Sequence, residues 1–203
     1  MIKTLKTYYT ISASSEGLYK EKGSKFLSYA YPITTEGDIK VIQEELRKIH
    51  YDARHHCYAW ILGMENQTYR ANDDGEPNHS AGDPILGQIR SFDLTNVFVI
   101  VVRYFGGTKL GVGGLINAYK LATESALTNA SKKCIFETIN LELRFPYDIL
   151  SNVERLIQEF EIEVIERDFQ LSCKVDAIIK KNLKDDFLAS TSDLYTLEIE
   201  TLE

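Results

Sequence analysis

Cysteine is scarce in this sequence, and it has no long hydrophobic run. Among its 203 residues there are only three cysteines, Cys57, Cys134 and Cys173. An odd number of widely spaced cysteines indicates free thiols in a reducing compartment rather than a disulfide framework. No apolar run approaches the roughly 18 residues that a membrane span requires, and residues 1–10 lack the apolar core of a signal peptide. The sequence therefore predicts a cytoplasmic protein that does not contact a membrane.

Negative charge is in excess, but that excess lies in one part of the chain. The formal net charge is -7. Residues 1–133 carry 16 Lys and Arg against 14 Asp and Glu, whereas residues 134–203 carry 7 against 16. Because an acidic surface repels phosphate groups, the C-terminal part is a poor candidate for contact with nucleic acid. The N-terminal part, in contrast, can still carry a local basic site.

The order of elements predicts an α+β protein with two domains, residues 1–133 and residues 134–203. In the second domain, hydrophobic spacing predicts the order β-α-β-β-α-β, which is the ferredoxin-like arrangement. Its strands are expected at residues 135–145, 163–168, 170–177 and 194–202, and its helices at residues 148–160 and 178–189.

The first domain is predicted to combine strands and helices. The run from Val97 to Val102 is apolar on both faces, which is typical of a central strand covered on both sides. Helices are predicted after Thr35 as N-cap, after Asp83 as N-cap, and over residues 115–130. Further strands are expected at residues 7–14, 24–32, 57–62 and 68–70. Small residues should let the last helix lie close to the sheet, and they are Ala118, Ala122 and Ala126.

A glycine-rich segment is the most informative feature of the chain. Five of the 12 glycines lie between the central strand and the last helix. Such a turn exposes backbone N–H groups and a helix N-terminus to a ligand, usually an anion. The phosphate-loop and dinucleotide patterns do not match, and the glycines could instead serve tight packing alone. The candidate anion- or ligand-binding residues are Arg103, Gly106, Gly107, Lys109, Gly111, Gly113 and Gly114.

A second candidate segment is the acidic loop over residues 72–83. Asp73, Asp74 and Glu76 place three carboxylates in four positions. They could hold a divalent cation or supply a general base. Alternatively, the loop is a turn whose carboxylates are solvated or paired with Arg103 and Lys109.

Histidines form the third candidate feature. His55 and His56 should point to opposite faces if they begin a strand, and the paired spacings of a structural zinc site are missing. Cys57 alternates with apolar residues, so we expect it to face the core rather than act as a nucleophile. One histidine is expected to line the same cleft as the acidic loop. The candidate cleft residues are His55, Asp73, Asp74, Glu76 and His79.

Four segments of the N-terminal part form an ordered set of motifs. They are Lys22-Gly23-Ser24-Lys25-Phe26, His50 through Ala59, Asp73 through Pro77 with Ala81-Gly82, and Asn96 through Leu115 with Ala118-Tyr119. This set resembles the YigZ/IMPACT family over residues 20–130, and the C-terminal part is similar to the smaller domain of bacterial members. The family usually has small residues after Glu76-Pro77, where this chain has Asn78 and His79.

The resemblance implies a larger domain like the second domain of a small-subunit ribosomal protein, and a smaller one like the ferredoxin-like domains of elongation factor G. It also implies that eukaryotic relatives regulate translation initiation, through a partner-binding module that this chain lacks. It supplies no catalytic residues.

Three functions follow as hypotheses. The leading one is a non-catalytic protein that binds RNA or the ribosome through its N-terminal domain and regulates translation. The second is an enzyme for a small anionic metabolite, with the anion on the glycine segment and a metal or base at Asp73, Asp74 or Glu76. The third is a protein-interaction module with an exposed apolar patch near Phe105. No cofactor is required by the sequence.

Overall fold

A computed structural model describes residues 7–64 and 68–202. The chain is a mixed α/β protein that divides into two compact units, one over Tyr8–Ile135 and one built from Phe136 onward. Among the described residues, none of the helices is both long enough and apolar enough to cross a membrane.

The first unit contains seven strands and three helices in its described part. Five strands form an antiparallel sheet in the order β2-β3-β6-β4-β5, and β1 pairs with β7. The strands are β1 (Tyr8–Ile11), β2 (Ser15–Glu21), β3 (Ser24–Pro32), β4 (His55–Leu62), β5 (Thr68–Asn72), β6 (Val97–Tyr104) and β7 (Lys132–Ile135). The helices are α1 (Glu36–Ile49), α2 (Gly82–Ser91) and α3 (Gly111–Asn129).

Strand β6 lies at the centre of the five-stranded sheet, and Val97 to Arg103 are all buried. One face of the sheet packs against α2 and α3, and the other packs large side chains such as Trp60 and Phe98 against α1. The prediction of a central strand covered on both sides is therefore confirmed. The physical reason is that both faces of this strand are apolar and each needs a covering layer.

Small residues let helix α3 lie directly on the sheet. The Ser28 hydroxyl donates a hydrogen bond to the Ala122 carbonyl at 2.5 Å. A Cβ on Gly17 would overlap the backbone at Ala126. The predicted close approach of this helix is confirmed. The same glycine interrupts the hydrophobic alternation of β2, which is why the sequence pattern did not reveal that strand.

Two of the three helix starts in this unit differ from the prediction. Thr35 caps α1 as predicted, in a capping box with Asp38. Helix α2 begins two residues earlier than expected, with Ala81 at the N-cap and Asp83 in its first turn. Helix α3 begins at Gly111 rather than Leu115, because glycine, although a poor helix former, is tolerated in a first turn.

The second unit has the element order β-α-β-β-α-β over its described residues. Its antiparallel sheet has the order β11-β8-β10-β9. Its elements are β8 (Thr138–Phe145), α4 (Leu150–Glu159), β9 (Glu163–Phe169), β10 (Cys173–Lys180), α5 (Lys184–Ser190) and β11 (Glu198–Leu202). The helix expected from Ile178 was placed too early, because Ile179 is buried in the sheet core and β10 continues to Lys180.

Candidate functional site

A cavity of about 750 Å³ opens in the first unit. It lies where β4 begins, where β6 ends and where α3 begins. Cationic, acidic, aromatic and aliphatic side chains line it together with residues of the glycine-rich segment. The lining residues are Asp52, Ala53, Arg54, His55, Glu76, Pro77, Arg103, Tyr104, Phe105, Lys109, Leu110, Gly111, Val112 and Leu115.

The N-terminus of α3 lies at this cavity without a side-chain cap. Leu110 occupies the N-cap position and forms no side-chain cap hydrogen bond. The N–H groups of Gly111, Val112 and Gly113 have no acceptor within the helix, as in the first turn of any α-helix. All three residues are exposed, and Gly111 and Val112 line the cavity. The helix therefore presents backbone donors and the positive end of its dipole at the cavity.

The glycines of this segment serve different purposes. Gly107 and Gly111 adopt φ values of 89° and 74°, which side-chain-bearing residues rarely adopt. Gly106 is packed so closely on the backbone of Gly23 and Ser24 that a Cβ would overlap it. Its N–H donates to the Ser24 hydroxyl at 3.1 Å, so this amide is not available to a ligand.

The remaining two glycines lie in the first turn of α3 and do not line the cavity. A Cβ on Gly114 would meet the Cβ of Leu110 at 3.0 Å, whereas a Cβ on Gly113 would enter open space. Of the predicted anion-binding residues, the structure therefore places Arg103, Lys109 and Gly111 at the cavity wall.

A buried ion pair forms the floor of the cavity. Arg103 is only 7% exposed, and its Nη1 donates to Oε1 of Glu76 at 2.5 Å. The Tyr119 hydroxyl donates to the same oxygen at 2.9 Å. Arg103 also lies over the ring of Phe26, with 5.4 Å to the ring centroid, and over the ring of Phe105, with 5.6 Å. Glu76 therefore neutralises and positions Arg103.

Cys57 belongs to the core beneath this ion pair. The thiol is buried, donates to the Asp73 carbonyl at 2.9 Å and lies 3.2 Å from the Tyr119 hydroxyl. Burial raises the pKa of the Cys57 thiol well above its usual value. Since the thiolate is the nucleophilic form, this cysteine is suited to packing. The expectation that it faces the core is confirmed.

Asp73 caps the N-terminus of helix α2, although it is not adjacent to that helix in the sequence. Its Oδ1 accepts from the N–H groups of Ala81 and Gly82 at 2.9 Å each, and its Oδ2 accepts from the N–H of His79 at 2.8 Å. Burial alone would raise the pKa of Asp73, but these three hydrogen bonds outweigh it and lower that pKa. The carboxylate thus replaces the side-chain cap that Ala81 cannot provide.

Asp73→Ala should lower the free energy of unfolding of the first unit by about 1–2 kcal/mol at pH 7, the usual cost of losing a helix cap. Because the folded-state pKa lies below the unfolded value, the stabilisation is complete above about pH 4 and is lost as pH falls through the folded pKa. Urea unfolding at several pH values should therefore show wild type and variant converging in acid. The same difference at every pH would contradict the assignment.

Asp74 also binds protein groups. Its Oδ2 accepts from the His56 N–H at 2.7 Å, and its Oδ1 pairs with Arg47 at 3.0 Å. With Asp73 on α2 and Glu76 on Arg103, the three candidate carboxylates of the acidic loop all bind groups of the protein itself. Residues 7–64 and 68–202 contain no cluster of His, Cys, Asp and Glu arranged to hold a metal ion.

The two neighbouring histidines point to opposite sides of the sheet, as predicted. His55 lines the cavity, and its Nδ1 lies 2.9 Å from the Asp74 carbonyl oxygen. His56 is buried, and burial followed by the nearby Arg47 charge lowers its pKa. His79 lies outside the cavity lining and contacts Asp83 at 2.6 Å. Of the predicted cleft residues, His55 and Glu76 line the cavity, whereas Asp73, Asp74 and His79 do not.

Sequence reasoning missed one cationic wall residue, Arg54, although it lies directly before the predicted histidine pair. The apolar patch expected near Phe105 is present: Phe105 is 56% exposed, Val112 is 52% exposed and Ile116 is 39% exposed. Val112 and Ile116 are one helical turn apart on α3, so their side chains share a face.

The Impact N-terminal domain family model matches residues 22–127 of this chain. The chain belongs to the IMPACT family. The IMPACT family member YigZ of Escherichia coli is 33% identical over 151 residues, which cover 73% of this chain and 74% of that protein. The IMPACT family member YvyE of Bacillus subtilis is 34% identical over 62% of this chain, and the match spans 58% of that relative. A crystal structure of a hypothetical protein matches with a TM-score of 0.71 at 28% identity, over 97% of this chain and 98% of that one.

The IMPACT motifs of this chain converge on the cavity. The segments around His55, around Glu76 and over residues 103–115 all contribute to its wall, and the Gly23-Ser24 turn supports Gly106. The departure from the family pattern is visible in the backbone, because His79 adopts φ 64°, a conformation that favours glycine.

Proposed function

We propose that this IMPACT-family chain binds RNA through the cavity of its first unit and regulates translation. The observation that carries the proposal is the uncapped N-terminus of α3 beside Lys109 and Arg54 in one concave site. Neither cation forms an ion pair with another described residue. Backbone donors, a helix dipole and free cations are the groups that bind phosphate.

The side chains that an enzyme would need are engaged elsewhere, which favours a binding role. The carboxylates of Asp73, Asp74 and Glu76 accept hydrogen bonds from protein donors, and the thiol of Cys57 is buried. The exposed ring of Phe105 suits an unstacked base, since aromatic side chains bind single-stranded nucleic acid by stacking.

The second unit is not the RNA-binding part of the protein in this proposal. Its element order and its sheet order β11-β8-β10-β9 support a ferredoxin-like fold, and the family resemblance supports a likeness to domains of elongation factor G. The same resemblance supports a ribosomal-protein-like fold for the first unit, and the three widely spaced cysteines support a cytoplasmic location. Because residues 134–203 are acidic, we assign the RNA contact to the first unit, while a protein partner could contact the second.

Lys109→Glu should weaken binding of a fluorescein-labelled single-stranded RNA at least 10-fold, because one phosphate contact is replaced by charge repulsion. Fluorescence anisotropy at several salt concentrations is the measurement. Wild-type affinity should fall as salt rises, and the variant should show a smaller dependence on salt.

Lys120→Glu is the matched control for this experiment. Lys120 is an exposed residue of the same helix, α3, but does not line the cavity. It should lose much less affinity than Lys109→Glu. Equal losses in the two variants would indicate a diffuse charge effect, and affinity that is independent of salt would overturn the proposal.

A further inference from the structure

Three chemical groups line the same cavity, and a single ligand could contact them all. We infer that the cavity takes one unpaired ribonucleotide, with its phosphate at the start of α3, its base on Phe105 and its ribose 2′-hydroxyl on His55. This inference rests on the proposed binding of RNA and adds which form of nucleic acid the site selects.

His55 presents a hydrogen-bond acceptor to the cavity. Its Nδ1 lies 2.9 Å from the carbonyl oxygen of Asp74. A carbonyl can only accept, so Nδ1 carries a hydrogen, and in the tautomer with its single hydrogen on Nδ1 the other nitrogen, Nε2, is an acceptor. Gly75 lies next to this ring and adopts φ 85°, a conformation that favours glycine, whereas a Cβ there would make only an ordinary contact with Nδ1 at 3.5 Å. The ligand must therefore supply a donor, which a phosphate at neutral pH lacks and a ribose hydroxyl provides.

Phe105 presents a flat apolar surface at the same site. Phe105 is 56% exposed, and the guanidinium of Arg103 lies 5.6 Å from the centroid of its ring. Because Arg103 is anchored by Glu76 and by the ring of Phe26, it supports the ring of Phe105. A base can stack on such a ring only when it is not stacked in a duplex, so the site favours single strands.

The phosphate position is supported by two independent features. One is the uncapped start of α3 with Lys109 and Gly111 at the wall. The other is Arg54, a second cation that lines the cavity and forms no ion pair with another described residue. Arginine side chains are among the groups that bind phosphate oxygens.

The cavity volume agrees with a ligand of this size. At about 750 Å³ it lies in the range of sites that enclose one small molecule. It can hold one nucleotide, and a base-paired helix cannot enter it. A simple anion would use the start of α3 but would leave Phe105 and the His55 acceptor without partners.

The test compares four uridine oligonucleotides of equal length by fluorescence anisotropy: ribose, 2′-deoxyribose, 2′-O-methyl ribose, and ribose annealed to its complement. Wild type should bind the ribose strand about 3- to 10-fold more tightly than the deoxyribose and 2′-O-methyl strands, the value of one hydrogen bond. The duplex should bind most weakly. The modified strands test the inference without any change in the protein.

His55→Ala should bind all three single strands equally, while His79→Ala should keep the wild-type preference for ribose. His79 is the matched control because it lies in the neighbouring loop, is exposed and does not line the cavity. Uridine monophosphate as competitor separates two sources of the ligand. If uridine monophosphate competes at the same concentration as the oligonucleotide, the cavity is still a ribonucleotide site, but its ligand is a free nucleotide rather than RNA.

Two outcomes overturn the inference in distinguishable ways. If the ribose and deoxyribose strands bind equally and Lys109→Glu still weakens both, the chain binds nucleic acid but does not read the ribose. If none of the four oligonucleotides binds, the proposed function fails together with the inference.

Discussion

Glu76→Ala should lower the free energy of unfolding of the first unit by about 3–5 kcal/mol, the usual cost of removing one partner of a buried ion pair. The variant leaves the guanidinium of Arg103 buried without its counter-ion, and the Tyr119 hydroxyl loses its acceptor. A charge in a low-dielectric environment without a partner is strongly unfavourable. The effect should therefore exceed that of any exposed ion pair in the chain.

Tryptophan fluorescence measures this prediction in the first unit alone. The chain has one tryptophan, and Trp60 is buried in β4. Urea unfolding followed at Trp60 should show a lower midpoint for Glu76→Ala. Glu44→Ala on the exposed side of α1 is the control and should change stability by less than about 0.5 kcal/mol. A Glu76→Ala midpoint equal to that of the control would contradict the stabilising role of the ion pair.

A double variant separates loss of the pair from burial of a lone charge. Glu76→Leu combined with Arg103→Met should be more stable than Glu76→Ala, because an apolar replacement of both partners leaves no charge unpaired. The same double variant should still bind RNA less tightly than wild type, since Phe105 loses the guanidinium that supports it.

Gly106→Ala should cost about 1–3 kcal/mol, the range for inserting atoms into a fully packed position. The new Cβ would overlap the backbone of Gly23 and Ser24, which cannot rotate away as a side chain could. The glycine-rich segment must then move away from the turn between β2 and β3. Because Phe105 and Lys109 belong to this segment, affinity for RNA should fall with stability. Trp60 fluorescence and anisotropy measure the two effects.

Gly113→Ala is the matched control, because it adds the same methyl group seven residues later in the chain. A Cβ on Gly113 enters open space in the first turn of α3. Since alanine is the better helix former, this variant should be equal to wild type or up to about 1 kcal/mol more stable. If Gly106→Ala were also neutral, the close contact between the glycine-rich segment and the β2–β3 turn would be wrong.

Local signals in the sequence predicted much of the fold. The apolar run of β6, the N-cap at Thr35 and the small residues on α3 each reflect a requirement of one element or of its immediate neighbour. The prediction failed where a residue that is distant in the sequence determines the local structure. Strand β2 contains Gly17 only because α3 lies against it, and α2 begins after Ala81 only because Asp73 caps it.

In the candidate site, too, local sequence predicted the segments involved, whereas distant residues determined the contacts of their side chains. The sequence singled out the glycine-rich segment, the acidic loop and His55, and all three contribute to one cavity wall. It could not tell which carboxylate faces the cavity. Asp73 and Asp74 accept hydrogen bonds from backbone amides. Glu76 instead pairs with Arg103 of β6, which lies 27 residues later in the chain.

The sequence by itself determined the family, the mixed α/β character and the segments that carry the site, because these depend on residue type and local spacing. Only the tertiary structure decided what each polar group does. A carboxylate can bind a cation, cap a helix or neutralise an arginine, and the choice depends on which donors the rest of the chain brings within hydrogen-bond distance. In this fold the donors around the acidic loop are bound by carboxylates of that loop, whereas the start of α3 has no side-chain cap, and we propose that its N–H groups bind a ligand.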